Sequence, residues 1–329
     1  MRILFTSLPG FGHFNPTVPL ARAMRQRGHE VAYACSPSWT QKVEAAGFSN
    51  FPSGPAWTLT LNDPVMREIM AKELFVELAR MGMVDGVVRA ARAFDADILA
   101  CDGAEVGGLI AGALLGIPVV MVALAAPKQW RPMMAGKVAQ AASEHGLDGQ
   151  RLVSFDNELM YLDRTPPSFE TPGFEPYPNL FNARPELYGD TAPIPSWFEE
   201  LGTRPIVYVS FGTVFSANPA LFQLLAGALR DEPVDVVMAM GATLAPEALG
   251  DLPANVHVAG YLPQLEVIGR ASVVVSHAGY NTTMEAMTNG IPMYCLPMAA
   301  DQPANAERLV AAGAGLAAPA PEAPPQPGP

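Results

Sequence analysis

The first half of the chain alternates between short apolar runs and longer segments in which apolar residues recur at helical spacing. The apolar runs occupy residues 3–8, 31–35, 98–101 and 118–123. Residues 18–27 are an example of the helical pattern between them. Short apolar strands that alternate with helices are typical of βα units, whose parallel sheet is buried on both faces.

The same alternation restarts after residues 166–205, a stretch rich in proline and aromatic residues. The new apolar runs occupy residues 206–210, 236–240, 256–259, 272–276 and 292–296. We therefore predict an α/β protein with two Rossmann-like, doubly wound parallel-sheet domains. The predicted boundaries are 1–190 for the first domain, 191–205 for a linker and 206–317 for the second domain. A cleft between the domains, at the carboxyl ends of the strands, is the expected ligand site.

Length, charge and cysteine content narrow the class of protein. A chain of 329 residues, half of them hydrophobic, is long enough for two cores. Its net charge of -12 disfavours nucleic acid or an anionic membrane as the main partner, since both require a basic face. The three cysteines, Cys35, Cys101 and Cys295, are odd in number and widely spaced, which predicts reduced, buried thiols.

Two segments resemble targeting or membrane sequences. The apolar run at residues 1–8 is too short for a secretory signal and no cleavage site follows it. Residues 107–126 are uncharged and long enough to span a bilayer, but Gly116 and Pro118 divide them into a helix and a strand. We expect a cytoplasmic protein without stable membrane insertion.

The turn after the first strand contains the first chemically interesting residues. Gly10 and Gly12 begin a dinucleotide fingerprint, but Asn15 stands where its third glycine belongs, so a nicotinamide or flavin site is disfavoured. His13 lies at the carboxyl end of a strand and can act as a general base. Asp102 follows another strand and would fix the tautomer of His13. The alternative is a loop histidine that hydrogen-bonds its own turn.

A second acidic pair has the spacing of a metal-binding motif. Asp95 and Asp97 form a D-x-D sequence, which holds a divalent ion in metal-dependent sugar transferases. Here both precede a strand, at its amino end. We therefore interpret them as structural and predict no metal site.

A glycine turn that opens a helix is the strongest signal of the second half. The strand at 272–276 runs into residues 277–286, and free backbone N–H groups at a helix start bind phosphates. Asn281, Thr282 and Thr283 would add hydrogen-bond donors. The alternative is an ordinary helix capped by Asn281 or Thr282, with Glu285 in its first turn.

Several motifs in this order resemble one known family. Residues 277–285, followed by 290–292, Pro297, Asp301 and Gln302, resemble the donor-binding signature of the family-one, UDP-glycosyltransferase-like group with the GT-B fold. Further segments that are similar to that group are residues 12–16, 27–31, 208–213 and 261–264. The resemblance covers roughly residues 1–317.

The resemblance implies a role for each matching residue. His13 would be the base and Asp102 its supporting acid. The residues implied to hold the diphosphate are His277, Gly279, Asn281 and Thr282, with Ser210 and Thr213 nearby. Tyr261 would stack on the nucleobase, where many relatives have tryptophan, and Gln264 would contact the edge of the base. Glu285 would bind the ribose hydroxyls, and Asp301 and Gln302 the sugar.

The implied enzyme is a metal-independent, inverting glycosyltransferase of the bacterial natural-product type. It would move a hexose from a UDP- or dTDP-sugar, a co-substrate rather than a cofactor, to a hydroxyl of an apolar small molecule. A GT-B epimerase and a non-catalytic relative remain alternatives. A set of methionine and aromatic residues in the first half would contact the apolar acceptor, although such residues more often form a core. The set consists of Trp57, Met66, Met70, Phe75, Met81, Met83, Trp130, Met133 and Met134.

The proline- and alanine-rich residues 318–329 are expected to form a disordered tail. Relatives that this sequence resembles continue further, with helices that complete the second domain. We therefore expect a shortened form with uncovered apolar faces, a tendency to self-associate and weak activity.

Overall fold

The chain forms two compact units, Met1–Tyr188 and Gly189–Pro329. The computed structural model describes residues 1–60, 63–66, 83–123, 127–153, 159–170, 179–189, 193–213, 218–241 and 244–319, with the backbone alone at 127–134. Each unit is built around its own parallel sheet.

The described part of the first unit contains a seven-stranded sheet in the order β3-β2-β1-β4-β5-β6-β7, and all of its strand pairs are parallel. The strands are β1 (Arg2–Thr6), β2 (Glu30–Ala34), β3 (Ser49–Asn50), β4 (Ile98–Asp102), β5 (Val119–Val122), β6 (Met160–Asp163) and β7 (Leu180–Asn182). The helices are α1 (Phe11–Phe14), α2 (Val18–Gln26), α3 (Thr40–Ala45), α4 (Val84–Phe94), α5 (Val106–Leu115), α6 (Pro127–Glu144) and α7 (Gly149–Val153).

The described part of the second unit contains a six-stranded sheet in the order β10-β9-β8-β11-β12-β13, again with parallel pairs. The strands are β8 (Ile206–Ser210), β9 (Asp235–Ala239), β10 (Val256–Ala259), β11 (Val273–Ser276), β12 (Met293–Cys295) and β13 (Gly315–Ala317). The helices are α8 (Ser196–Glu199), α9 (Pro219–Ala228), α10 (Gln264–Arg270), α11 (Tyr280–Thr288) and α12 (Gln302–Ala311).

Both sheets have a point where the strand order reverses. In the first unit this point lies between β1 and β4, and in the second between β8 and β11. Successive connections leave such a point in opposite directions, so a crevice opens there at the carboxyl ends of the strands. The two doubly wound sheets confirm the predicted fold class, and the reversal points locate where each unit offers a site.

The segment with transmembrane length folds as predicted over its described residues. Helix α5 ends at Gly116, which adopts a left-handed conformation (φ 66°), and the chain then enters the central strand β5. No helix among the described residues is both long and apolar enough to cross a membrane. All three cysteines are buried and carry free thiols, in agreement with the prediction.

The predicted linker is partly packed onto the second unit. Its described residues include α8, whose Phe198 is fully buried. The Arg270 guanidinium lies 4.3 Å from the centre of the Phe198 ring. This part of the segment is thus anchored to the second unit by an aromatic contact.

The last two strands of the second sheet carry an exposed apolar pair. Tyr294 of β12 and Leu316 of β13 are register partners, and 39% and 67% of their surfaces are exposed. The predicted tail lies outside the described residues from 320 onward. Self-association of the chain stays a prediction.

Candidate active site

A histidine and a carboxylate meet at the reversal point of the first sheet. His13 lies in α1, directly after β1, and Asp102 ends β4. The Nδ1 atom of His13 is 2.8 Å from Oδ2 of Asp102. Asp102 is fully buried, whereas 22% of the His13 side chain is exposed. The structure therefore brings together the two residues that the sequence predicted as a pair.

The Asp102 carboxylate is held on both of its oxygens. The backbone N–H of Leu8 donates to Oδ2 at 3.2 Å, and that of Ala104 donates to Oδ1 at 2.9 Å. Because a carboxylate only accepts, the contact with His13 requires the ring proton on Nδ1. The lone pair of a neutral ring is then on Nε2, where it can accept a proton from another molecule.

Glu105 is a buried acid beside this pair that sequence reasoning missed. Its Oε2 accepts a hydrogen bond of 2.9 Å from the Gly108 N–H, which caps the start of α5. Burial is the main reason that its pKa is raised to about 7, with the charge of Asp102 acting in the same direction. In the sequence, the available signal was that Glu105 stands three residues before Gly108, which is the spacing of a helix cap. Glutamate, however, is an uncommon capping residue.

Both carboxylates of the D-x-D pair contact Arg2. The backbone N–H of Arg2 donates to Oδ2 of Asp97 at 2.6 Å, and the Arg2 guanidinium contacts Asp95 at 2.5 Å. Both contacts lie at the amino end of β1, opposite to His13. Among the residues that the structure describes, no three histidine, cysteine, aspartate or glutamate side chains are grouped as metal ligands.

The second site is the turn between β11 and α11. Ala278 has a left-handed backbone (φ 63°), which is uncommon for a residue with a Cβ, and the Asn305 side chain donates to its carbonyl at 3.1 Å. Gly279 is the N-cap of α11 and, as a glycine, makes no side-chain cap hydrogen bond. The capping alternative with Asn281 or Thr282 is therefore wrong, because both residues lie inside the first turn.

The His277 ring packs against two glycines. A Cβ added to Gly279 would lie 2.5 Å from Nε2 of His277, and one added to Gly212 would lie 3.0 Å from Cε1. Burial lowers the pKa of His277 to about 4, so the ring is neutral near pH 7. Its Nδ1 is 3.2 Å from Oγ of Ser276. The neutral His277 ring therefore lies beside the start of α11.

Gln264 connects three elements of the second unit. The Tyr208 hydroxyl donates to Oε1 of Gln264 at 3.3 Å. The amide nitrogen of Gln264 donates to Oγ1 of Thr282 at 3.2 Å and to Oε2 of Glu285 at 2.5 Å. Both N–H groups of the amide are used in these contacts, so Gln264 has only acceptor capacity left. Tyr208 was noticed in the sequence only as part of a motif.

The remaining predicted residues lie at the same end of the second sheet. Ser210 ends β8 and is buried, Thr213 follows it closely, and 40% of the Tyr261 surface is exposed. Oε1 of Gln302 accepts from the backbone N–H groups of Met298 and Ala299 at 2.8 and 2.9 Å. Oδ2 of Asp301 accepts from the Asn305 side chain at 2.7 Å. Asn305 thereby links the start of α12 to the turn at Ala278.

The proposed acceptor residues are only partly described. Trp57, Met66 and Met83 are buried in one cluster with Leu8 and Ala104, which favours a core over a pocket. The other members of the set lie outside the described residues or have undescribed side chains, namely Met70, Phe75, Met81, Trp130, Met133 and Met134.

Comparison with known proteins shows what the chain is similar to. A family described as "UDP-glucoronosyl and UDP-glucosyl transferase" matches residues 190–322. The chain is 28% identical to the NDP-glycosyltransferase YjiC of Bacillus subtilis, over 95% of the chain and 83% of that protein. It is 27% identical to the 4'-demethylrebeccamycin synthase of Lentzea aerocolonigenes, over 96% of the chain and 87% of that protein.

Two solved structures have the same fold. The glycosyltransferase SnogD from Streptomyces nogalater has a TM-score of 0.76 and 27% identity, with coverage of 97% of this chain and 86% of that one. The Streptomyces sp. SF2575 glycosyltransferase SsfS6, complexed with thymidine diphosphate, gives 0.76 and 27%, with coverage of 96% and 87%.

Two doubly wound domains with these sites define a glycosyltransferase of the GT-B fold. More narrowly, the family match over residues 190–322 and these relatives support a family-one, UDP-glycosyltransferase-like glycosyltransferase.

Proposed function

We propose that this enzyme moves a hexose from a UDP- or dTDP-sugar to a hydroxyl group of an apolar, natural-product-like small molecule, with inversion at the anomeric carbon. The relatives support the substrate classes. One is named a 4'-demethylrebeccamycin synthase, and another was solved with thymidine diphosphate. Tyrosine at position 261 keeps an aromatic face for stacking but does not select between uracil and thymine.

The contact between His13 and Asp102 carries the proposal. With its proton on Nδ1, His13 removes the acceptor's hydroxyl proton at Nε2, and the freed oxygen attacks the anomeric carbon. The nucleotide diphosphate leaves from the opposite face, which produces the inversion. The buried Asp102 carboxylate, 2.8 Å from the ring, stabilises the imidazolium that forms.

The start of α11 supports the donor half of the proposal. Its first-turn N–H groups and positive dipole end favour the diphosphate, and they would offset the charge that develops on the leaving group. His277 is neutral there, so it adds no charge of its own, and its ring hydrogen-bonds the backbone of Ser210. We therefore propose that the reaction needs no metal ion or cofactor.

The rest of the donor is assigned by the family resemblance. Tyr261 would stack on the base, Glu285 would bind the ribose hydroxyls, and Asp301 would bind the sugar. Gln302 would assist with its amide nitrogen, because backbone N–H groups occupy its oxygen. Gln264 would contact the base only as an acceptor.

The decisive experiment compares the parent with His13→Ala. UDP- and dTDP-glucose are supplied with a panel of phenolic and macrocyclic acceptors, and NMR gives the anomeric configuration of the product. We expect an inverted product, and a fall in turnover of at least about a hundredfold in the variant with nearly unchanged dTDP affinity. A retained configuration, or an equal loss of affinity and turnover, would contradict the proposed role of His13.

A further inference from the structure

The hydrogen bonds around Gln264 form a chain that begins in the core of the second unit. Tyr208 lies in the central strand β8 and only 1% of its surface is exposed. Its hydroxyl reaches the first residue of α10 and donates to the Gln264 oxygen at 3.3 Å. Burial raises the pKa of Tyr208 well above its usual value, so this hydroxyl remains a neutral donor.

The far end of the chain is the Glu285 carboxylate in α11. Its Oε2 accepts from the Gln264 nitrogen at 2.5 Å, and Glu285 is itself buried. Hydrogen bonds to an ionised group are stronger than neutral ones, and burial strengthens them further. The direction of this carboxylate therefore depends on how the amide of Gln264 is held.

A planar amide is fixed in direction when both of its ends are bound. The nitrogen end contacts Thr282 and Glu285, and the oxygen end has the Tyr208 hydroxyl. Without that hydroxyl the amide loses its anchor and can rotate. Rotation by half a turn would place the amide oxygen against the Glu285 carboxylate, and the two acceptors would repel each other.

We propose that Tyr208 is a positioning residue of the donor site, which through Gln264 sets the direction of the Glu285 carboxylate toward the donor ribose. The inference rests on the proposed function, in which Glu285 binds the ribose hydroxyls. It assigns Gln264 a clamping role between two elements. It also gives a function to a tyrosine of the core.

The test is Tyr208→Phe, which removes one oxygen and leaves the ring in place. Calorimetric titration of the full chain measures binding of dTDP and of 2′,3′-dideoxythymidine diphosphate, which lacks the 3′-hydroxyl. The loss of one hydrogen bond should weaken dTDP binding by about three- to tenfold. Binding of the dideoxy compound should change by less than about twofold, since it has no hydroxyl for Glu285 to bind.

Two further variants separate positioning from folding. In a Glu285→Gln background, Tyr208→Phe should cause no additional loss of dTDP affinity, because the group that it positions has been changed. Gln264→Met removes the amide but keeps the chain length. It should weaken both nucleotides, because the proposed contact with the base is lost, and dTDP more strongly, because Glu285 is no longer held, even if Tyr208→Phe folds poorly.

Tyr33→Phe is the matched control. Tyr33 is another buried tyrosine, in β2 of the first unit, and its hydroxyl is 3.0 Å from Oγ1 of Thr17. This variant should lose stability without any change in dTDP binding.

Three results would overturn the inference. Equal weakening of both nucleotides would show that the Tyr208 hydroxyl serves the fold alone. Additive losses with Glu285→Gln would show that the two residues act separately. Equal binding of dTDP and the dideoxy compound by the parent would disprove the ribose role of Glu285 and, with it, this inference. The proposed glycosyltransferase activity would still be tested independently by the transfer assay with the acceptor panel.

Discussion

Replacing Gly279 by alanine tests how closely the His277 ring must pack against the start of α11. The backbone at Gly279 has φ -60° and ψ 141°, which alanine adopts without strain. The change is therefore purely steric. The new Cβ would lie 2.5 Å from Nε2 and 3.0 Å from Cε1 of His277, both in a buried ring.

The size of the effect follows from that overlap. An ordinary contact is about 3.4 Å or longer, so the ring and the first turn of α11 must separate by about 1 Å at this point. Overpacking of this kind typically costs about 1–3 kcal/mol. If about half of this cost, about 0.5–1.5 kcal/mol, falls on the complex with dTDP, the dTDP affinity decreases by about two- to twelvefold.

Urea unfolding measures the first quantity and dTDP titration the second. The control is Gly227→Ala in α9, where a Cβ meets no heavy atom within 4 Å and the backbone φ is ordinary. This control should gain about 0.5–1 kcal/mol in stability and bind dTDP as the parent does. Parent-like stability and dTDP affinity in Gly279→Ala would refute the argument from packing.

Three other predictions concern charge. Both Asp102 oxygens accept from backbone N–H groups, so Asp102→Asn places an amide N–H against a backbone N–H in either orientation. We therefore expect kcat to fall by at least about a hundredfold and the melting temperature to drop. Burial lowers the pKa of His277 in the folded protein from 6.5 to about 4. As the pH falls from 6.5 to 4, this histidine therefore becomes protonated in the unfolded chain but stays neutral in the folded one. The difference lowers the free energy of unfolding by about 3 kcal/mol. A His277→Gln variant should lack this loss in urea unfolding across that range, and an unchanged pH dependence would contradict the assignment. EDTA should leave the transfer rate unchanged, and a strict requirement for magnesium or manganese would show that the helix start does not replace a cation.

The strands were predictable because a parallel sheet is buried on both faces and appears in sequence as continuous apolar runs. The run at residues 98–101 corresponds to β4, which extends one residue further to Asp102. Helix starts were less accurate. The helix expected to open within residues 277–286 begins at Tyr280, because Ala278 is left-handed and Gly279 is extended.

Sequence placed His13 and Asp102 at the same end of one sheet, and the strand order then made them neighbours. It did not reveal Glu105 or Tyr208. Glu105 matters because α5 buries it beside Asp102, and Tyr208 because its hydroxyl reaches Gln264, 56 residues away. The role of Tyr208 depends on a tertiary contact, which no periodicity or local motif records.

The two units use one geometric rule for different chemistry. Thr6 pairs with Cys101 at the end of the first sheet's central strands, and Ser210 pairs with Ser276 at the end of the second's. Residues that follow paired parallel strands must meet, however far apart they are in sequence.

The residues that follow the central strands of each sheet determine the chemistry at that end of the sheet. In the first unit a buried carboxylate follows one strand and a histidine helix the other, so the meeting point can accept a proton. In the second unit a glycine turn and a helix start with a glycine N-cap meet a neutral histidine, so the point favours an anion. The reversal of strand order thus supplies the position of each site, and the few residues after each strand supply its function.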